Sequence, residues 1–279
     1  MRDIQAKAIE DKIYELCLSA CRRLDGHAVD ALKRAVEAER SPHGREQLKQ
    51  LVDNVAAAEE LNLPLCQDTG MAVVFADVGQ DAHITGGFLA DAVDEGVRRA
   101  YRDGCFRASV LNPLDRRNTL DNTPAVLHTR IVTGDRVTLT VAPKGFGSEN
   151  MSRLKMLTPS AGISGVKEFI VDTVRRAGGN PCPPVVVGVG IGGTFELCAE
   201  LAKRALLRRL GKQSPLADVA LMEEELLRKI NALGIGPMGL GGDVTALAVH
   251  IETYPTHIAG LPVAVNMQCH CARHAEGEV

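Results

Sequence analysis

Residues 185–210 read VVVGVGIGGTFELCAELAKRALLRRL. The opening run is short, apolar and β-branched, follows Pro183 and Pro184, and runs into glycines, which marks a buried strand. From Thr194 to Leu210 the spacing turns helical. The glycines Gly188, Gly190 and Gly193 fit G-x-G-x-x-G between a strand and a helix. A dinucleotide fingerprint also needs a second strand ending in an acidic residue about twenty residues on. Here Gln213-Ser214-Pro215 leads into another helix rich in Glu and Leu. The glycines are therefore read as close backbone packing, or as an anion seat at the helix N-terminus, and the fold as mixed α/β.

Downstream, residues 234–274 give a glycine-rich loop and two apolar strands. Upstream, Ser164 to Ala177 is helical and Gly178-Gly179 stops it. PKGFGSENMS (143–152) is a polar loop, and residues 125–141 read as two strands around the turn Thr133-Gly134-Asp135. A helix is expected from Gly87 to Tyr101, and MAVVFADVG (71–79) is a strand after the loop LPLCQDTG (63–70). Before it, Ile9, Ile13, Leu16, Cys17 and Ala20, then Leu48, Leu51, Val52, Val55 and Ala58, recur at helical spacing up to Pro64. The expected architecture is one domain over 1–279, with a helical N-terminal part of about 1–62 packed on a mixed-sheet core.

Thirty-two Lys plus Arg against 35 Asp plus Glu leave a net charge of −3, and aromatics are 3% with no Trp. Neither bulk charge nor stacking platforms favour nucleic acid. No apolar stretch resembles a signal peptide or a membrane span, so a cytoplasmic protein is expected, with its eight cysteines as thiols, ligands or core filler. Cys17 and Cys21 on the first helix, and Cys198 in a later one, are read as core filler. Cys105 is open. Cys66, Cys182 and Cys269 each stand at a junction of regular elements, where distant segments can converge. No C-x-x-C spacing indicates a zinc site. On spacing alone these three are either unrelated loop thiols or a shared metal site.

Six segments taken together carry a resemblance: LCQDTG (65–70), FRASVLNPLDRRNTLDNTPA (106–125), KGFGSENMS (144–152), GGNPCPP (178–184), GVGIGGTFE (188–196) and GDVTALAVHIETYPTHIAGLPVAVNMQCH (242–270). In this order they resemble the class I, iron–sulfur fumarate hydratase and L-tartrate dehydratase family, and the chain looks like the alpha subunit of its two-subunit form. The implied fold is that of the class I fumarase N-terminal domain. The resemblance implies a [4Fe–4S] cluster on Cys66, Cys182 and Cys269, with one iron open to substrate and Cys271 a rival for the third place. It implies Asp68 for proton transfer, His257 in the substrate site, and Gln67, Arg107 and the backbone of Gly145 and Gly147 on a small dicarboxylate. Without it, Asp68 would be read as an Asx turn. Phe146 stands where the family has glycine.

The implied activity is a hydro-lyase. Fumarate to L-malate, a tricarboxylic acid cycle reaction, is favoured, and tartrate to oxaloacetate is the alternative. A non-catalytic iron–sulfur sensor would not need Asp68, Arg107 and His257. Single-chain relatives continue into a further domain completing the dicarboxylate pocket. Here a separate beta subunit is expected, in an α2β2 heterotetramer.

Overall fold

The valines at 185, 187 and 189 face one side of their strand and the glycines at 188 and 190 the other, and this alternation organises half of the molecule. The computed structural model describes all 279 residues. In chain order the first elements are β1 (Arg2–Gln5), α1 (Ala6–Arg22), α2 (Gly26–Ala38), α3 (Pro42–Glu60), β2 (Met71–Gly79), β3 (Ala82–Thr85), α4 (Leu89–Asp103), β4 (Val126–Val132) and β5 (Val137–Lys144). There follow the single turn α5 (Phe146–Glu149), β6 (Arg153–Leu157), α6 (Gly162–Ala177), β7 (Val185–Gly193), α7 (Phe195–Ala205), α8 (Ala217–Asn231), β8 (Ala246–Thr256), β9 (Leu261–Gln268) and β10 (Ala275–Glu278). The fold is α/β. The chain forms two compact units, Met1–Asp25 with Val55–Phe146 and Arg273–Val279, and Gly26–Asn54 with Gly147–Ala272. No helix is long and apolar enough to cross a membrane.

In the first unit the sheet order is β10-β5-β2-β4. β2 runs parallel to β4 and antiparallel to β5. The two strands flanking the turn at 133–135 are therefore not a hairpin, because β2 lies between them. The turn signal is local, whereas the crossover through α4 that makes β4 parallel to β2 is not. Ile9 and Ile13 of α1 and Val93 and Val97 of α4 close over Val74, Ala76, Leu139 and Val141. Each fully buried Ile or Val contributes roughly 1.5–3 kcal/mol. Cys17 and Cys21 belong to this core. Burial pushes the Cys21 thiol up to about 11 and that of Cys17 well above its ordinary value, as expected of packed, unreactive thiols.

In the second unit the order is β6-β9-β7-β8, with β7 parallel to β8 and antiparallel to β9. Val185, Val187 and Val189 bury against Val166, Ile170 and Val174 of α6 and Leu226 and Ile230 of α8. The opposite face carries α7. A Cβ on Gly188 would lie 2.2 Å from the Ala202 carbonyl oxygen, and one on Gly190 2.0 Å from that of Cys198. The glycine pattern is thus a bed on which α7 lies directly on the strand. At the N-terminal side, Ala35 and Leu48 pack on Val244. The buried carboxylate of Glu39 accepts the N–H groups of Ser41, Asp243 and Val244, latching the glycine-rich loop before β8.

The two sheets share one plan: a central strand, a parallel neighbour, an antiparallel neighbour and an antiparallel edge. The edges are exchanged along the chain. β6 follows β5 but pairs with β9, and β10 follows β9 but pairs with β5.

Candidate active site

Each sheet delivers loops to one end. In the first unit β2 starts where β5 finishes, Met71 facing Lys144, so the 66–70 loop and Gly145 emerge together. Gly70 has φ +76, and a Cβ there would lie 2.6 Å from the Lys144 carbonyl carbon, so only glycine fits this junction. Asp68 is half-buried. Its Oδ1 accepts the Gly70 N–H at 3.0 Å and its Oδ2 the Phe146 N–H at 2.9 Å. The first of these is an Asx turn. The second ties the carboxylate to the segment after β5, where a Cβ on Gly145 would come within 3.0 Å of Oδ2. An ionised carboxylate has about four acceptor positions, so both oxygens keep capacity for another proton donor.

Cys66 is half-buried and Gln67 exposed in the same loop. Arg107 is exposed, and its backbone is fixed by Thr69, whose hydroxyl accepts the Arg107 N–H at 3.0 Å. The structure therefore brings Cys66, Gln67, Asp68, Arg107 and Gly145 to one loop cluster. Residues not singled out in the sequence hold it from beneath. The Tyr101 hydroxyl reaches the carbonyls of Thr69 and Gly70, the Asn122 amide donates to Gly70, and the Arg273 guanidinium donates to Asp68. Nothing local in the sequence links these residues to the loop.

In the second unit β7 and β9 are antiparallel neighbours, with Val186 facing Gln268. The segment before β7 and the segment after β9 thus meet, and they carry Cys182 and Cys269. Cys182 takes a left-handed conformation with φ 55. Its carbonyl accepts the His270 N–H at 3.3 Å and lies 3.3 Å from the His270 ring Nδ1. The Gln268 amide donates to Cys269 Sγ at 3.6 Å and to the Cys271 carbonyl at 2.8 Å. Cys182 and Cys269 are half-buried, while Cys271 is 2% exposed. Gly147 is exposed beside Asn180. His257 is placed differently. It lies in the exposed turn between β8 and β9, where its Nδ1 accepts the Ala259 N–H at 3.2 Å. The eight residues of β9 separate it from Cys269 by roughly 25 Å. This unit does not bring His257 to Cys182 and Cys269.

The donor set suits an iron–sulfur group. Soft thiolates are its ligands, and hydrogen bonds to sulfur tune it; the Gln268 amide supplies one such bond to Cys269. Cys66, Cys182 and Cys269 are half-buried at loops, whereas Cys17, Cys21, Cys198 and Cys271 are buried. Within neither unit do three His, Cys, Asp or Glu side chains gather about one point.

The profile of the fumarate hydratase (Fumerase) family matches residues 10–278. The chain belongs to this family. A protein of Methanocaldococcus jannaschii is 43% identical over 273 residues, covering 96% of each chain, and carries the provisional name L(+)-tartrate dehydratase subunit alpha. The L(+)-tartrate dehydratase subunit alpha of Escherichia coli K12 is 35% identical over 254 residues, 88% of this chain and 82% of that one. The same figures hold for its namesake in Shigella boydii. Fumarate hydratases and tartrate dehydratases both move water across a carbon–carbon bond, and the chain is a hydro-lyase.

Proposed function

We propose that this chain is the alpha subunit of an L(+)-tartrate dehydratase, acting with a separate beta subunit. The observation that carries this reading is the shared name of relatives aligned over 88% to 96% of the chain. It replaces the preference for fumarate drawn from the sequence. Cys66, Cys182 and Cys269 would hold a [4Fe–4S] cluster. When bound, the cluster supplies a Lewis acid for a hydroxyl, which is otherwise a poor leaving group.

The remaining work falls to the chain's own groups. A carboxylate with both oxygens fixed by backbone N–H groups, as in Asp68, can take the proton from the carbon next to a substrate carboxylate. Loss of that proton and of hydroxide from the neighbouring carbon leaves an enol that tautomerises to oxaloacetate. The Arg107 guanidinium is exposed while its backbone is anchored by Thr69, which suits a bidentate grip on one carboxylate. The Gln67 amide and the N–H groups of Gly145 and Gly147 offer further donors. His257 enters this reading only as a residue of the substrate site to be tested by substitution.

Fumarate hydration is the second reading, favoured by the description of the family itself. The deciding experiment is anaerobic co-expression with the beta subunit, followed by iron and sulfide analysis and assay on L-tartrate and fumarate. Iron and sulfide in cluster proportion, with L-tartrate the faster substrate, is the expected result. Activity confined to fumarate and L-malate would replace the first reading with the second, and full turnover by the isolated chain would remove the need for a partner. An α2β2 assembly and a cytoplasmic setting belong to the same proposal.

A further inference from the structure

Three successive carbonyls of the 66–70 loop, those of Asp68, Thr69 and Gly70, each accept a hydrogen bond from a side chain of the first unit. Two of the donors, Tyr101 and Asn122, are neutral. The third is Arg273, only 5% exposed, whose Nη2 donates to the Asp68 carbonyl and whose Nε donates to the Pro143 carbonyl at 3.4 Å. One guanidinium therefore spans the backbone of Asp68 and the end of β5. Three residues after Pro143, the Phe146 N–H holds Asp68 Oδ2. Both sides of the carboxylate's cradle are tied to the same planar group.

Burying a guanidinium strips it of water that its new partners must replace. An apolar side chain of similar volume often gives equal or better stability at such a position. A forked, charged donor gains over it in fixing two acceptors at a set separation, and charge-assisted bonds are roughly twice as strong as neutral ones.

We propose that Arg273 is a positioning residue for proton transfer, holding the 66–70 loop against the end of β5 so that the Asp68 carboxylate keeps one orientation. The proposal rests on the reading of Asp68 as the proton-transfer group. Lysine at 273 can reach one of the two carbonyls and methionine neither. Tyr101→Phe loosens the loop while leaving Asp68's own carbonyl held.

The test has two readouts. In the iron-loaded complex with the beta subunit, Arg273→Met should lower kcat on L-tartrate roughly ten- to a hundred-fold, with KM moving less than about threefold. Arg273→Lys should recover part of the loss, and Tyr101→Phe should lose less than Arg273→Met. In the full-length chain without iron, amide exchange should quicken at Gly70 and Phe146 in Arg273→Met. It should stay slow in Arg136→Ala, which breaks only an exposed ion pair with Glu278 on the same sheet. Arg273→Met with parental kcat and parental exchange overturns the proposal. If that variant does not accumulate folded, Arg273→Lys with parental kcat and exchange does so. Asp68→Asn distinguishes the two levels: retained turnover there refutes the role of Asp68, while the exchange data still decide whether Arg273 holds the loop.

Discussion

His250 is buried on β8 with its Nδ1 3.2 Å from the Ala205 carbonyl, so the neutral ring carries its proton there. Burial, and secondarily the Arg208 guanidinium, hold its pKa down to about 4 from 6.5. The unfolded chain binds this proton below about 6.5 and the folded chain does not. The contribution of the neutral ring is thus complete above about 6.5 and is lost as pH falls toward 4, by on the order of 3 kcal/mol. Urea midpoints at pH 7.5 and pH 5 should show a drop in the parent that His250→Gln flattens; equal slopes would contradict it. The cysteines separate by the same logic of burial. Cys66→Ser, Cys182→Ser and Cys269→Ser should each abolish stable iron binding, whereas Cys17→Ala and Cys198→Ala should cost about 1 kcal/mol and keep the iron. Similar iron loss from both groups would undo the assignment. In the sequence, Asp68 supported two readings, an Asx turn and a functional carboxylate, and its two oxygens show why. One makes the turn with Gly70 and the other reaches Phe146, and only the first contact is local enough to be legible.

Among elements, α7 on β7 has the least tolerance. Gly190→Ala would push a methyl against the Cys198 carbonyl and should destabilise by about 1–3 kcal/mol or more. Gly26→Ala, at the start of α2 with nothing within 4 Å of the added carbon, should change stability by less than about 1 kcal/mol. Urea unfolding of both reads the difference. These apolar, glycine-spaced strands were legible because alternation is a local property: β2 and β7 run over 71–79 and 185–193, as their composition indicates. Strand order was not legible. β4 and β5 flank a turn and suggest a hairpin, yet each pairs with β2. β10, with the sequence AEGE, is polar and half-exposed, and nothing in four such residues announces a strand. The same applies to the site. The motif cysteines stood out one by one, but that Cys182 and Cys269 are neighbours follows from the antiparallel pairing of β7 with β9.

For the whole molecule, the exchanged edges carry a consequence for how the chain is made. A ribosome releases residues 137–144 early, but their partner on one side is residues 275–278. The first sheet is therefore three-stranded for as long as the following 130 or so residues take to appear, about 7–26 s at usual elongation rates. During that interval β5 is an open edge, the kind of surface on which nascent chains stick to one another. Deleting residues 275–278 freezes the chain in that state. The shortened protein should aggregate on expression and, where soluble, lose protease resistance first along β5; a monodisperse product as resistant as the parent would show that the edge needs no cover. Cys269 is also made late, long after Cys66. Two of the proposed iron ligands are thus separated in time by some two hundred residues of translation, so the proposed cluster would have to be loaded after Cys269 is made, and the pair of loops carrying Cys182 and Cys269 would form before any iron binds.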